Sequence, residues 1–223
     1  MEWNEFFIAA LETVGMTIIA TALAYLVGLP LGILLYNTGK KGLSPNRALN
    51  LVIGILVNIL RSVPCLILII VLIPLTRGVF GRATGAWYTM IIPLFFASFA
   101  YVGRVVETSL NEVDQGVVEA AKSMGASRFQ IVTKVLLREA RPSLLLGLAL
   151  STISILGYTA FAYDFGAGGL IARAYSIYHN HPMNYLSRPE IWVILFLIVA
   201  VVQIIQELGL YLSKKTDKRR IAK

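Results

Sequence analysis

The chain has 223 residues, 57% of them hydrophobic and only 14% charged, with a formal net charge of +8 and a mean hydropathy of +0.73. This composition places it among integral membrane proteins before any motif is considered. Several apolar runs exceed the roughly 20 residues a helix needs to cross a bilayer, and they lack the period-2 alternation of a membrane barrel.

Five spans are predicted. The first covers about 12–36 and carries Gly15, Gly28, Pro30 and Gly32. It follows Glu2, Glu5 and Glu12 without any Lys or Arg, whereas a signal peptide starts positively charged. A polar turn, 37–46 (NTGKKGLSPN), leads to a second apolar region, about 48–75, interrupted by Asn58, Arg61, Ser62 and Pro64. Two readings of it stay open: an interfacial lead-in helix up to Leu60 with the span starting near Ser62, or one kinked span. Arg61 must snorkel, pair or face a polar surface. Cys65 has no second cysteine to bridge to and is read as packing. The third span covers about 86–106.

The longest polar stretch follows, 107–141. Its signals are those of two short helices meeting at an elbow. Val117, Val118, Ala121 and Met124 recur at helical spacing, and Glu119 and Lys122 stand at i, i+3. Gly125 is placed to end the first helix in the left-handed conformation. Ser127 can cap the second, with Gln130 completing a capping box. Phe129, Val132, Val135 and Leu136 give that helix its own apolar stripe.

The fourth span covers about 142–163, with Pro142 in its first turn. Gly147, Ser151, Ser154, Tyr158 and Phe161 recur at i, i+4, i+7, i+11 and i+14, which is either close helix packing through small residues or the wall of a translocation pathway. Asp164 lies at the end of this span, either interfacial or facing the pathway. Gly166, Gly168 and Gly169 predict an irregular, close-packed exit. The hydrophilic segment 164–188 contains His179 and His181, whose spacing and lack of a nearby carboxylate or thiolate cluster argue against a metal site. A fifth span, about 190–212, ends in a basic tail, SKKTDKRRIAK.

An odd number of spans puts the termini on opposite sides. The turn 37–46 with Arg47, the elbow with Arg104, and the tail hold three, six and six of the Lys and Arg, fifteen of the twenty. The positive-inside rule therefore predicts an outside N-terminus and a cytoplasmic elbow and C-terminus. Topology and attraction to anionic membrane lipid account for the basic excess, so no nucleic-acid partner is required. Five spans are few to enclose a polar pathway, which points to a two-fold homodimer of single-domain chains, residues 1–223. The sequence has no phosphate-binding glycine loop, no HExxH and no GxSxG, so the chain is read as a non-enzyme without its own nucleotide or metal site.

The elbow sequence Glu119-Ala120-Ala121, followed by Gly125 and Ile131, resembles the EAA loop of permease subunits of ATP-binding-cassette importers. Further stretches extend the similarity toward the methionine-uptake permeases: ETVGMT at Glu12, NILRSVP at Asn58, IPLTR through Pro74 and Arg77, GRVVETSL at Gly103, KVLLREA at Lys134, and GYTAF with GAGGL at Gly157 and Gly166. The resemblance implies an all-α type I importer permease in a bacterial inner membrane. Its partners would be a second copy of the chain, a cytoplasmic ABC ATPase dimer holding ATP and Mg, and an extracytoplasmic substrate-binding (lipo)protein. It assigns coupling to Glu119, Ala120, Ala121, Met124, Gly125, Ala126 and Phe129. Ser151, Ser154, Tyr158, Phe161 and Asp164 are the pathway candidates. Arg138 stands where the family's elbow has proline, and Ala162-Tyr163-Asp164 replaces a small apolar run. The expected substrate is methionine or a relative, with a cationic amino acid as the alternative motivated by Asp164. An ion-gradient-driven amino acid transporter and a membrane scaffold are the other classes. The first is disfavoured by the lack of intramembrane acidic residues away from the span ends, the second by the hydroxyls of the fourth span.

Overall fold

The computed structural model describes residues 3–217, which form helices joined by short connections, with no strand among the described residues. In chain order the helices are α1 (Trp3–Thr38), α2 (Arg47–Ser62), α3 (Cys65–Val71), α4 (Ile73–Phe80), α5 (Ile91–Asn111), α6 (Gln115–Ser123), α7 (Arg128–Gln130), α8 (Leu137–Glu139), α9 (Arg141–Tyr158), α10 (Leu170–Asn180) and α11 (Pro189–Thr216). A π-helical stretch, Ile131–Leu136, joins α7 to α8, and 3₁₀ turns occupy Trp87–Met90, Thr159–Phe165 and Tyr185–Ser187. Four helices are long and apolar enough to cross a membrane, and five if the bent α2–α3 pair counts as one span.

The second apolar region is broken, not kinked. Helix α2 ends at Ser62, whose hydroxyl donates to the Asn58 carbonyl at 2.8 Å. Val63 falls outside both helices, because a proline ring disfavours helix in the residue before it, and Pro64 caps α3 in an extended conformation (φ −58, ψ 134). The first span begins nine residues earlier than expected, at Trp3. The segment 164–188 contains an eleven-residue helix, α10, that its polar composition concealed. The tail beyond Asp217, with its basic residues, lies outside the described residues.

Contacts group the chain into two compact units. One holds the chain up to Leu23, Val63–Ser98 and Thr152–Gln206. Its core is Phe6, Ala9, Leu170 and Ile194, with Ala174, Ile177, Val193 and Leu197 packed around them. The N-terminus of α10 is held by α1. Glu12 Oε2 accepts from the Gly169 amide at 2.9 Å and Thr13 Oγ1 from the Leu170 amide at 2.8 Å, so a carboxylate and a hydroxyl satisfy donors that a helix start leaves orphaned. Gly166, Gly168 and Gly169 reach this arrangement with φ of 62, 76 and 94. A Cβ at Gly168 would lie 2.4 Å from Glu12 Oε2. The glycine-rich exit from the fourth span is thus irregular and close-packed, as its composition predicted.

The other unit holds Ala24–Ser62, Phe99–Ser151 and the chain from Glu207. Leu35, Val57 and Ala100 form a core ringed by Leu31, Ile53, Leu60 and Phe99. Glycines at Gly28 and Gly32 let α1 lie against α5, with no room for a Cβ beside Val102, the Gly103 carbonyl or Val106, the small-residue packing expected between membrane helices. Arg104 ties α5 to α2, donating to the Gly54 carbonyl at 3.0 Å and Asn58 Oδ1 at 3.1 Å while pairing with Glu107 at 2.7 Å. Arg61 lies over the Tyr101 ring, 6.0 Å from its centroid.

Candidate functional site

The elbow is built by local chemistry at each of its corners. Asp114 caps α6, its carboxylate accepting from the Gly116 amide at 2.7 Å. At the other end the Gly125 amide donates to the Lys122 carbonyl at 2.9 Å and the Ala126 amide to the Ala121 carbonyl at 3.1 Å. With Gly125 at φ 79, this is the paired-bond helix stop that a left-handed glycine allows. Ser127 and Gln130 form the predicted capping box, at 2.8 Å and 3.3 Å. The second arm is tied back to the 37–46 turn by Arg128 Nη1, which donates to Ser44 Oγ at 2.6 Å.

Each arm buries one face within its own unit and leaves another bare. Val118 and Ala121 are 0% and 4% exposed, and Ile131, Val132 and Leu136 are also buried. Met124 and Phe129 are 81% and 75% exposed, and Glu119 and Ala120 are exposed beside them. The four apolar residues read as one face therefore divide. At about 100° per residue the packing is centred near Val118, and Val117 and Met124 fall outside it. Of the coupling set, Ala121 faces inward while Glu119, Ala120, Met124, Gly125 and Phe129 are exposed and Ala126 is half-buried. Among the described residues the ion pairs are Arg104–Glu107 and Arg173–Glu5; Glu119 and Lys122 do not pair. A π-helical stretch over 131–136 widens the second arm, which the stripe of Val132, Val135 and Leu136 could not reveal.

The predicted face of the fourth span holds only as far as Tyr158. Beyond it the 3₁₀ turn Thr159–Phe165 changes the residue repeat, so Phe161 leaves the phase of the preceding helix. Ser151 is fully buried in the unit that carries the elbow, with the hydroxyl of Tyr25 beside it. In the other unit Ser154, Tyr158 and Phe161 are half-buried and Asp164 is exposed. No group of three or more metal-ligating side chains occurs among the described residues. Instead His179 stacks on Tyr163 with ring centroids 5.5 Å apart, and Tyr163 stacks on Tyr175 at 5.2 Å. Sequence reasoning missed Tyr25, Glu12, Thr13 and this aromatic stack. The i, i+4 spacing of Tyr175 and His179 was the one available signal.

The model of the family described as binding-protein-dependent transport system inner membrane component matches residues 28–214. The chain is 39% identical over 217 residues to a probable D-methionine transport system permease protein of Pasteurella multocida, covering 97% of this chain and 98% of that one. It is 40% identical over 186 residues to the methionine import system permease protein of Bacillus subtilis, covering 83% and 82%. Among solved structures it is similar to an inward-facing conformation of the MetNI methionine ABC transporter, with a TM-score of 0.88 and 33% identity over 97% of this chain and 98% of that one. An amino acid ABC transporter at 21% identity and a TM-score of 0.74 shares the fold.

Proposed function

Because the chain belongs to the family of inner membrane components of binding-protein-dependent transport systems, we propose that it imports methionine or a close relative, driven by a separate ATPase that grips the elbow. The observation that carries this reading is the elbow itself, a doubly capped helix pair holding Met124 and Phe129 almost fully exposed. A bare methionine and phenylalanine beside Glu119 form an apolar docking patch with a charged edge. Rigid capping lets that patch transmit displacement. Methionine is chosen from the relatives named above, and Asp164 keeps a cationic amino acid as the competing substrate.

In this scheme two copies of the chain enclose the pathway, and the positive-inside charge balance sets the elbow in the cytoplasm and the N-terminus outside. An ATPase dimer binding ATP and Mg closes, carrying both elbows with it, so the pathway turns toward a substrate-loaded binding protein. Hydrolysis returns it inward. Ser151, Ser154 and Tyr158 are the hydroxyls proposed to line the passage, with Phe161 as a bulky constriction and Asp164 at its end.

The test is reconstitution of the chain with its ATPase and binding protein in proteoliposomes, with Met124→Asp and Phe129→Asp introduced together. ATP-dependent methionine uptake and ATPase co-purification should both fall at least about tenfold, since burial of each side chain contributes about 1.5–3 kcal/mol. The double variant should keep the thermal midpoint of the wild type, because both residues are exposed. Undiminished uptake would refute the docking role. Faster uptake of lysine or arginine than of methionine would reassign the substrate.

A further inference from the structure

A polar cavity of about 210 Å³ lies where α10, the start of α11 and the first turns of α1 meet, walled by Arg173, Ser176, Asn180, His181, Arg188 and Glu190. Its charges are oddly arranged. Arg173 uses Nη2 on Glu5, and its Nε is buried without a partner. Arg188 Nη2 donates to His181 Nδ1 at 3.3 Å. Glu190 Oε2 is also buried without a partner. Arg188 and Glu190 thus line one small cavity without pairing with each other, the one ion pair at its wall being Arg173–Glu5.

Arg173, Arg188 and Glu190 are half-buried as residues, and a polar atom buried without a partner is costly unless something in the cavity satisfies it. A simple anion would satisfy the guanidinium and be repelled by Glu190. A simple cation would meet two arginines. A ligand carrying both charges a short distance apart satisfies both ends. The remaining wall is apolar, formed by Phe6 and Ile177, and accepts a short aliphatic portion.

We propose that this cavity binds the head group of a zwitterionic α-amino acid, its carboxylate on Arg188 and Arg173 Nε and its ammonium on Glu190. Guanidinium and carboxylate geometry favours the first contact. Glu190 sits in the first turn of α11, where the helix dipole favours a carboxylate, and supplies the second. The supports are fixed: Trp192 Nε1 donates to the Leu186 carbonyl at 3.0 Å, and Glu12 and Thr13 pin the start of α10. The role of this site as a landing point for released substrate rests on the importer reading and its outward orientation; the head-group chemistry does not.

The experiment is isothermal titration of the full chain, co-purified with its ATPase and without any binding protein, against L-methionine, glycine, N-acetyl-methionine and 3-methylthiopropylamine. Methionine and glycine should bind. Blocking the ammonium or deleting the carboxylate should weaken binding at least about tenfold, since each removes a charged hydrogen bond. Glu190→Gln and Arg188→Gln should each weaken methionine at least about tenfold while ATPase co-purification stays unchanged. Equal binding of N-acetyl-methionine and methionine would overturn the proposal in favour of a plain anion site. Absence of any amino acid binding, with reconstituted uptake intact, would reduce the cavity to a hydrated wall. Binding that persists when uptake fails would leave the head-group site standing and refute the importer reading alone.

Discussion

Replacing Gly32 with alanine tests the packing on which the elbow-bearing unit depends. A Cβ there would lie 2.5 Å from the Gly103 carbonyl oxygen and 2.6 Å from Val106 Cβ, against the 3.4 Å at which ordinary contact begins. Overpacking a close-packed interior costs about 1–3 kcal/mol. The atoms met here are backbone oxygen and a β-branched side chain, neither able to swing aside, so the upper figure of about 3 kcal/mol applies. Alanine returns about 1 kcal/mol of helix propensity. The net loss of about 2 kcal/mol corresponds to about 4–8 °C in thermal midpoint for a chain of this size. Scanning fluorimetry of the detergent-purified protein measures it. Gly78→Ala is the control: it lies in α4 with nothing within 4 Å of the added carbon, and should hold or raise the midpoint. If Gly32→Ala melts with Gly78→Ala, the close approach of α1 to α5 is not what stabilises this unit.

Thr13→Val should lower the midpoint, because the Leu170 amide loses its acceptor in a buried place, a cost of about 1–3 kcal/mol; Thr13→Ser should restore it in the same melting experiment. Gly125→Ala meets open space but must adopt φ near 79, a conformational cost of about 1–2 kcal/mol; hydrogen exchange over 115–139 should rise while α9 stays protected. Arg104→Met removes charge-assisted bonds that hold α2 to α5, worth about 1.5–3 kcal/mol each; cysteine crosslinking between the two helices should fall without loss of the elbow.

What the sequence made legible was local. The spans announced themselves by length and apolarity, and Pro64 marked the break in the second apolar region because its ring acts on the residue beside it. The capping box of Ser127 and Gln130 and the left-handed Gly125 are readable for the same reason, each bond spanning a few residues. Other features depend on distant partners. Nothing near Glu12 indicates that its carboxylate will accept from an amide 157 residues later, at the start of α10. The face of α6 could be listed from periodicity, yet whether Val118 or Met124 turned inward depended on what the unit packed against it. The loss of phase after Tyr158 comes from the 3₁₀ stretch Thr159–Phe165, which no residue within it announces, whereas the glycines that follow it were legible.

The elbow shows why a protein would retain two large apolar side chains in the open. Met124 and Phe129 contribute little burial to this chain, and a composition tuned only for solubility of the elbow would replace both. Their positions are nevertheless fixed from three directions: the glycine stop after α6, the capping box before α7, and the Arg128–Ser44 bond to the neighbouring turn. Ordering an interface side chain on association costs about 0.5–1.5 kcal/mol, and a preformed scaffold removes much of the backbone share of that cost in advance. A flexible loop with the same residues could bind a partner but would absorb its movement. Capping at both ends, with one face buried in the unit, means that displacement of the exposed patch must carry Val118, Ile131 and Leu136 with it, and through them the helices they pack on. Exposure and rigidity together are what the proposed coupling role requires, and neither alone would distinguish this elbow from an ordinary loop.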